Sequence, residues 1–325
     1  MKPAIRSRLK HPLTAPVLYT NYLLGHYRDI IWLIGDGRSG TTWVSSLINY
    51  RHQYREMFEP FHPLLVKDVD CMVPHQYMRA DDNNPRLLET ARRVFSGRLL
   101  HHRVDRYSRG LRHEGLVIKD IFANLMAYWA LHHFPDMRII LLIRNPFAVA
   151  LSKSRKNDDW LWSAEPLRLL DQKALHEDYL QPFEDLIRTT SSDGDTIQKL
   201  ILNWAIIHYV PLRQFSPEQV NILFYEDVLV SPEREMGRIL AAVGMEQSSR
   251  ATRIPAQTIK RPSRVAGRES TLMTGHSPVD AWKNELTAQQ IDNGYSILAR
   301  FGLDALYNGD SLPDRRVLEG ILQSP

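Results

Sequence analysis

Apolar positions along the chain fall into short, nearly continuous runs at 30–34, 54–58, 116–119, 138–143 and 219–224. Their length and β-branched content suit strands buried on both faces of a parallel sheet. Between most of them the apolar spacing changes to that of helices, at 122–133, 194–215 and 231–243. Ser231-Pro232 is a helix start signal, with Ser as N-cap and Pro in the first helical position. Alternating strand and helix predicts an α/β, three-layer arrangement with a central, mostly parallel sheet flanked by helices. No Gly/Ser-rich or Pro-rich linker divides the pattern, so 29–325 reads as one domain and 1–28 as an N-terminal extension.

The run Ile30–Ile34 leads into Gly35-Asp36-Gly37-Arg38-Ser39-Gly40-Thr41-Thr42-Trp43, and helical spacing begins at about Thr41. Strand, glycine turn and helix N-terminus form an anion cradle, because unpaired amides and the helix dipole both favour phosphate. Ligands of parallel sheets bind at the carboxyl ends of the strands, which is where this turn falls. Aligned on Gly35 and Gly40, the nucleotidase pattern G-x-x-x-x-G-K-[ST] places Thr41 where its lysine stands. That departure weakens an ATP-dependent phosphotransferase reading, which stays as the alternative beside a degenerate nucleotide-binding protein.

The Arg38-Ser-Gly-Thr-Thr-Trp43 turn resembles the phosphosulfate loop of the PAPS-dependent sulfotransferases. Three further blocks follow in that family's order. Ile139–Ser154 (IILLIRNPFAVALSKS) is similar to its second signature, Ile222–Gly244 to its YED…P…E…I…G segment, and Trp282–Leu286 to its W-K/R-x-x-L. The resemblance implies a P-loop-like sulfotransferase fold, PAPS as cosubstrate with PAP as product, no metal, and an acceptor hydroxyl. It also implies roles for individual residues. Arg38 would stabilise charge on the leaving phosphate, by electrostatics alone because a guanidinium does not give up its proton. Ser39, Gly40, Thr41 and Thr42 would hold the phosphosulfate, Trp43 would stack on adenine or sit in the core, and Arg144 with Ser152 would hold the 3′-phosphate. Tyr225 lies near the nucleotide or packs; Glu226 and Asp227 read as structural. The family's basic segment ahead of W-K is not reproduced, and Ser263 and Arg264 are the nearest substitutes.

The general base is read from two branches. The cytosolic branch carries a histidine in a K-T-H-type segment, which here is Ile118-Lys119-Asp120-Ile121, with no histidine. Phe58-Glu59-Pro60-Phe61-His62-Pro63 resembles the (F/Y)-E-P-x-x-H of the keratan and chondroitin type. Glu59 is the first candidate base and His62 the second. Lys119 would neutralise the sulfonate or pair with Glu59. The acceptor is then a glycan, glycolipid or other hydroxyl compound.

Composition changes little in this picture. With 41 Lys+Arg against 37 Asp+Glu, the charge suits an anionic cosubstrate but is too slight to argue for nucleic acid. Arginines crowd residues 86–113, as a solvated face or as a basic wall toward the acceptor. A single cysteine, Cys71, excludes an intrachain disulfide, and the His101-His102 and His132-His133 pairs lack ligand spacing. No apolar run reaches the roughly 18–20 residues of a membrane span. Pro12, Pro16 and Asn21 interrupt the apolar stretch that follows the basic N-terminus, so the expectation is a cytoplasmic, bacterial-type enzyme without a leader.

Overall fold

A computed structural model describes residues 3–155, 165–245, 254–259, 279–307, 309 and 311–323. Five strands form one parallel sheet: β1 (Asp29–Gly35), β2 (Arg55–Phe58), β3 (Gly115–Lys119), β4 (Met137–Ile143) and β5 (Val220–Phe224), in the order β2-β3-β1-β4-β5. Every expected strand is present within a residue or so of its apolar run. The register sets Phe58 and Leu33 level with Lys119, and Ile143 level with Phe224. The carboxyl ends of all five strands therefore form one edge.

The helices include α1 (Pro3–Leu23), α2 (Thr41–Ile48), α3 (Pro85–Phe95), α4 (Ala127–His133), α5 (Pro146–Ser154), α6 (Thr196–Gln214), α7 (Tyr225–Val230), α8 (Pro232–Ala242) and α9 (Ala288–Arg300). Side chains alternate across a strand, so one apolar run feeds two cores. Trp32 and Ile34 of β1 pack with Trp129 of α4, Phe147 of α5 and Trp204 of α6. Ile31 and Leu33 pack on the other face with Val44 and Leu47 of α2 and Ile239 of α8. This is why the strands read as continuous apolar runs rather than as alternating ones.

Local details differ from expectation in three places. The segment expected as one helix over 122–133 is a 3₁₀ turn at Asn124–Met126 followed by α4. Ser231 occupies the N-cap of α8, but its side chain caps nothing, and the start is set by Pro232. Helix α1 runs through Pro12 and Pro16 rather than stopping at them.

Helix α1 lies against the 97–113 segment. Asn21 Nδ2 donates to Leu111 O (2.8 Å) and Asn21 Oδ1 accepts from His113 N (2.9 Å), while His11 Nε2 lies 3.1 Å from Asp105 Oδ2. Asp105 also receives Arg55, which is fully buried in β2, at 2.7 Å. No helix among the described residues is long and apolar enough to cross a membrane.

Candidate active site

The turn after β1 is the first element of the site. Its left-handed residues are Arg38 (φ 69) and Gly40 (φ 91). Gly40 has no alternative, since a Cβ there would overlap the Tyr225 ring. Gly35 serves packing instead: a Cβ would stand 2.7 Å from the Leu142 carbonyl oxygen of β4. Arg38 at positive φ is backbone strain of the kind that persists where surrounding contacts over-determine it.

Those contacts are specific. Arg38 Nε donates to Ser152 Oγ of α5 (3.0 Å), and Arg144 Nη1, just past β4, donates to the Arg38 carbonyl (2.9 Å). The Arg144 guanidinium stacks on Tyr225, 4.4 Å from the ring centroid. Asp36 opens the turn and is buried against Lys153 Nζ, with both carboxylate oxygens at 2.6 Å. This pair pins the turn to the helix that carries Ser152. Gly40, at the N-cap of α2, offers no side chain to the helix's first amides. Ser39 Oγ and Arg144 Nε are buried without a hydrogen-bond partner among the described residues. A buried polar atom left unpaired costs about 1–3 kcal/mol, and ligand oxygens at this cradle would satisfy both.

Trp43 is only 2% exposed, edge-on to Tyr225 at 5.6 Å, and its Nε1 donates to Ile259 O at 3.3 Å. It is placed as a core tryptophan, with no open face for a base to stack on in this conformation. Ser263 and Arg264 lie outside the described residues. Ile259, which leads toward them, is nevertheless fastened beside the turn. Glu226 accepts from Asn145 N (2.9 Å) and from the Tyr307 hydroxyl (3.0 Å), tying the end of β4 to α7.

At the other end of the edge, Glu59 follows β2 with φ 50. Its amide bonds to Lys119 O (2.7 Å), Lys119 Nζ holds Oε1 at 2.6 Å, and Arg103 binds Oε2. Burial raises the Glu59 carboxyl, but Lys119 and Arg103 overcome this and hold it below the usual carboxylate range. Of the two roles expected for Lys119, pairing with Glu59 is the one observed. Two strand spacings of about 4.8 Å separate β2 from β1, so roughly 10 Å lies between the Glu59 backbone and the Arg38 turn. His62 is buried, its amide bonded to Glu59 O at 3.2 Å and its ring 4.9 Å from Phe122. Burial and then Arg103 push its imidazole down to about 4, so it is neutral at pH 7.

Sequence reasoning does not single out Asp36 or Lys153 as site residues, and it offers Arg103 only as one member of the arginine run. Asp36 and Lys153 belong to two motifs 117 residues apart, and a charge of each sign beside each motif is the only clue. The basic run resolves mostly into ion pairs: Arg86–Asp70, Arg92–Glu89, Arg93–Asp68 and Arg98–Glu89. Among the described residues no group of three or more His, Cys, Asp or Glu side chains converges as metal ligands. A separate cleft lined by Tyr128, Met137, Arg138 and Asn221 lies at the amino ends of β4 and β5, away from this chemistry.

The buried histidines set a pH dependence. Burial pushes His62, His75, His113 and His208 each down to about 4, from 6.5. Between pH 6.5 and 4 the unfolded chain therefore binds more protons at these sites, and stability is lost as the pH falls. Asp120 and Glu226 act oppositely: burial raises both to about 7, so the folded state holds their protons over the window from about 7 to 4. Four groups against two leaves the histidines dominant, by at most about 3 kcal/mol per pH unit. The melting temperature is expected to fall steadily from pH 6.5 to 4.5. A flat profile would mean that these imidazoles are protonated in the folded protein.

The cation-bearing turn after β1, the carboxylate after β2, and Arg144 and Ser152 after β4 thus stand along one edge of the sheet. Residues 31–249 match the model of the sulfotransferase family, and the chain belongs to that family and is a transferase. Among solved structures, the sulfotransferase domain from the curacin biosynthetic pathway is 14% identical (83% of this chain, 97% of that one, TM-score 0.43). A sulfotransferase from Alicyclobacillus acidocaldarius is 15% identical (88% and 97%, TM-score 0.43). A mouse sulfotransferase complexed with PAP is 14% identical (88% and 88%, TM-score 0.38). No curated protein matches the chain.

Proposed function

We propose that the protein moves the sulfuryl group of PAPS to a hydroxyl of a carbohydrate or glycolipid acceptor, releasing PAP. The supporting observation is the convergence of Arg38, Ser152 and Arg144 at one turn, where Ser39 Oγ and Arg144 Nε are buried without a hydrogen-bond partner among the described residues. Ser39, Thr41, Thr42 and the α2 amides would hold the phosphosulfate. Ser152, whose oxygen accepts from Arg38, keeps its own proton to donate to a 3′-phosphate, and Arg144 Nε supplies a second donor. PAPS when bound supplies the activated sulfuryl group and the PAP leaving group.

The chain's own part is positioning and charge stabilisation. Arg38 stabilises negative charge as it develops on the leaving phosphate. Glu59 takes the acceptor's proton, and must loosen from Lys119 to do so. His62 is the second candidate for that step. The carbohydrate assignment rests on the Phe58–Pro63 resemblance and on a glutamate, not a histidine, at the acceptor end.

The test is calorimetry with PAP and ATP. PAP is expected to bind well ahead of ATP, and Arg144→Ala to weaken PAP about ten- to a hundredfold, the loss of one charge-assisted bond. Equal affinity for ATP would overturn the donor assignment and favour a phosphotransferase. Labelled PAPS offered with glycan, glycolipid and phenolic acceptors tests the other half.

A further inference from the structure

Phe58, the last residue of β2, is surrounded by cations. The Arg106 guanidinium lies 3.8 Å from its ring centroid, Lys119 Nζ 4.6 Å and the Arg103 guanidinium 5.2 Å. Arg106 also stacks on Tyr107, 4.7 Å away, whose ring stands edge-on to Phe58. One carboxylate serves this group, Glu59, and it is shared by Lys119 and Arg103. Three positive charges face one negative charge.

The neighbouring acid does not make up the difference. Asp105 is turned away and taken by Arg55, by the His101 amide and by His11. No carboxylate pairs with Arg106 among the described residues, in contrast to Arg86, Arg92, Arg93 and Arg98. The Nε atoms of Arg103 and Arg106 are both buried without a hydrogen-bond partner. Burying like charges together is unfavourable unless an anion compensates them. Here two aromatic faces hold the guanidinium of Arg106 in place beside Glu59.

We infer that Arg106, with Arg103, forms an oxyanion subsite for the acceptor, so that the acceptor is an acidic molecule carrying a carboxylate or a sulfate ester close to its reacting hydroxyl. The position favours acceptor over donor. The turn bearing Arg106 packs on β2, the edge strand, with β3 between it and the donor turn after β1. A guanidinium offers a planar fork suited to either oxyanion. The inference rests on the sulfuryl-transfer reading only for the identity of the molecule that brings the anion.

The test titrates three probes into the full-length protein, with and without saturating PAP: tetragalacturonate, its methyl ester, and a sulfated maltotetraose. At least one anionic probe is expected to bind about ten- to a hundredfold more tightly than the neutral ester, and the better of the two identifies the oxyanion. Arg106→Gln should abolish that preference while leaving PAP affinity unchanged. Arg106→Lys, which keeps the charge and loses the fork, should retain part of it. Arg188→Gln, on an exposed helix face, controls for net charge and should change nothing. Absence of any preference for the anionic probes, or a preference that survives Arg106→Gln, overturns the subsite. If wild-type protein fails to bind PAP, the donor reading falls, and the titrations without PAP still decide this one.

Discussion

Replacing Glu59 by glutamine is expected to lower kcat about 10²–10⁴-fold, the usual contribution of a general base, with PAP affinity within about twofold of wild type. The amide is nearly isosteric and accepts hydrogen bonds, but it cannot take a proton from the attacking hydroxyl. Lys119 and Arg103 outweigh the cost of its burial and keep Glu59 ionised at neutral pH, the form a base needs, and the proposed proton transfer requires that it first loosen from Lys119. The same contacts predict a stability cost. Lys119 is buried, and loss of its carboxylate leaves an uncompensated charge, an effect of about 3–5 kcal/mol where a buried pair is broken. The assay is therefore run well below the lowered melting temperature, with PAP titration as the check on folding. A Glu59→Gln enzyme that binds PAP and turns over at nearly the wild-type rate would remove the carboxylate from the mechanism. His62, neutral at pH 7 and bonded through its amide to Glu59, would be tested next.

Arg38→Gly is expected to separate activity from stability in the opposite direction. Removing one donor aimed at developing charge costs about 10²–10³-fold in kcat, and loss of the only cation within the turn should reach at least that. Its backbone, however, sits at φ 69, where a side chain is strained and glycine is not. The glycine variant should therefore melt within a few degrees of wild type or above it. Arg144 bonds to the Arg38 carbonyl, which the substitution leaves in place. Arg38→Lys should recover part of the rate but not all, because a point charge replaces the planar fork and the bond to Ser152 is lost. Melting curves and kcat measured on the same samples decide the matter. An Arg38→Gly enzyme with near-normal turnover would show the cation to be structural, and a sharp loss of stability would show that its side-chain contacts outweigh the backbone strain.

Arg38 and Glu59 share a feature that composition and spacing do not display: both hold non-glycine side chains at positive φ, as does His75. Local propensity argues against such conformations. They exist because tertiary contacts impose them, through the Arg144–Arg38 carbonyl bond in one case and the Glu59 amide to Lys119 in another. The turn after β1, leading into a helix, was legible as a turn. Which of its residues were left-handed was not, since that depends on Tyr225 covering Gly40 and on α5 lying alongside.

What the sequence determined by itself was the sheet and the edge of it at which the motif residues gather. Continuous apolar runs mark strands buried on both faces, because alternate side chains must enter two cores. Motif residues placed directly after such runs must gather at one edge when all the strands are parallel. Pairing between distant segments was decided only in three dimensions. Asp36 meets Lys153, Glu59 is divided between Lys119 and Arg103, and Trp43 is drawn into the core against Tyr225 and Ile259. The arginine run shows the limit most directly: Arg86 to Arg98 find carboxylates while Arg106 finds two aromatic rings. Charge along a chain records how many cations there are. Only the packing of Phe58, Tyr107 and Asp105 around them decides which remain available to a ligand.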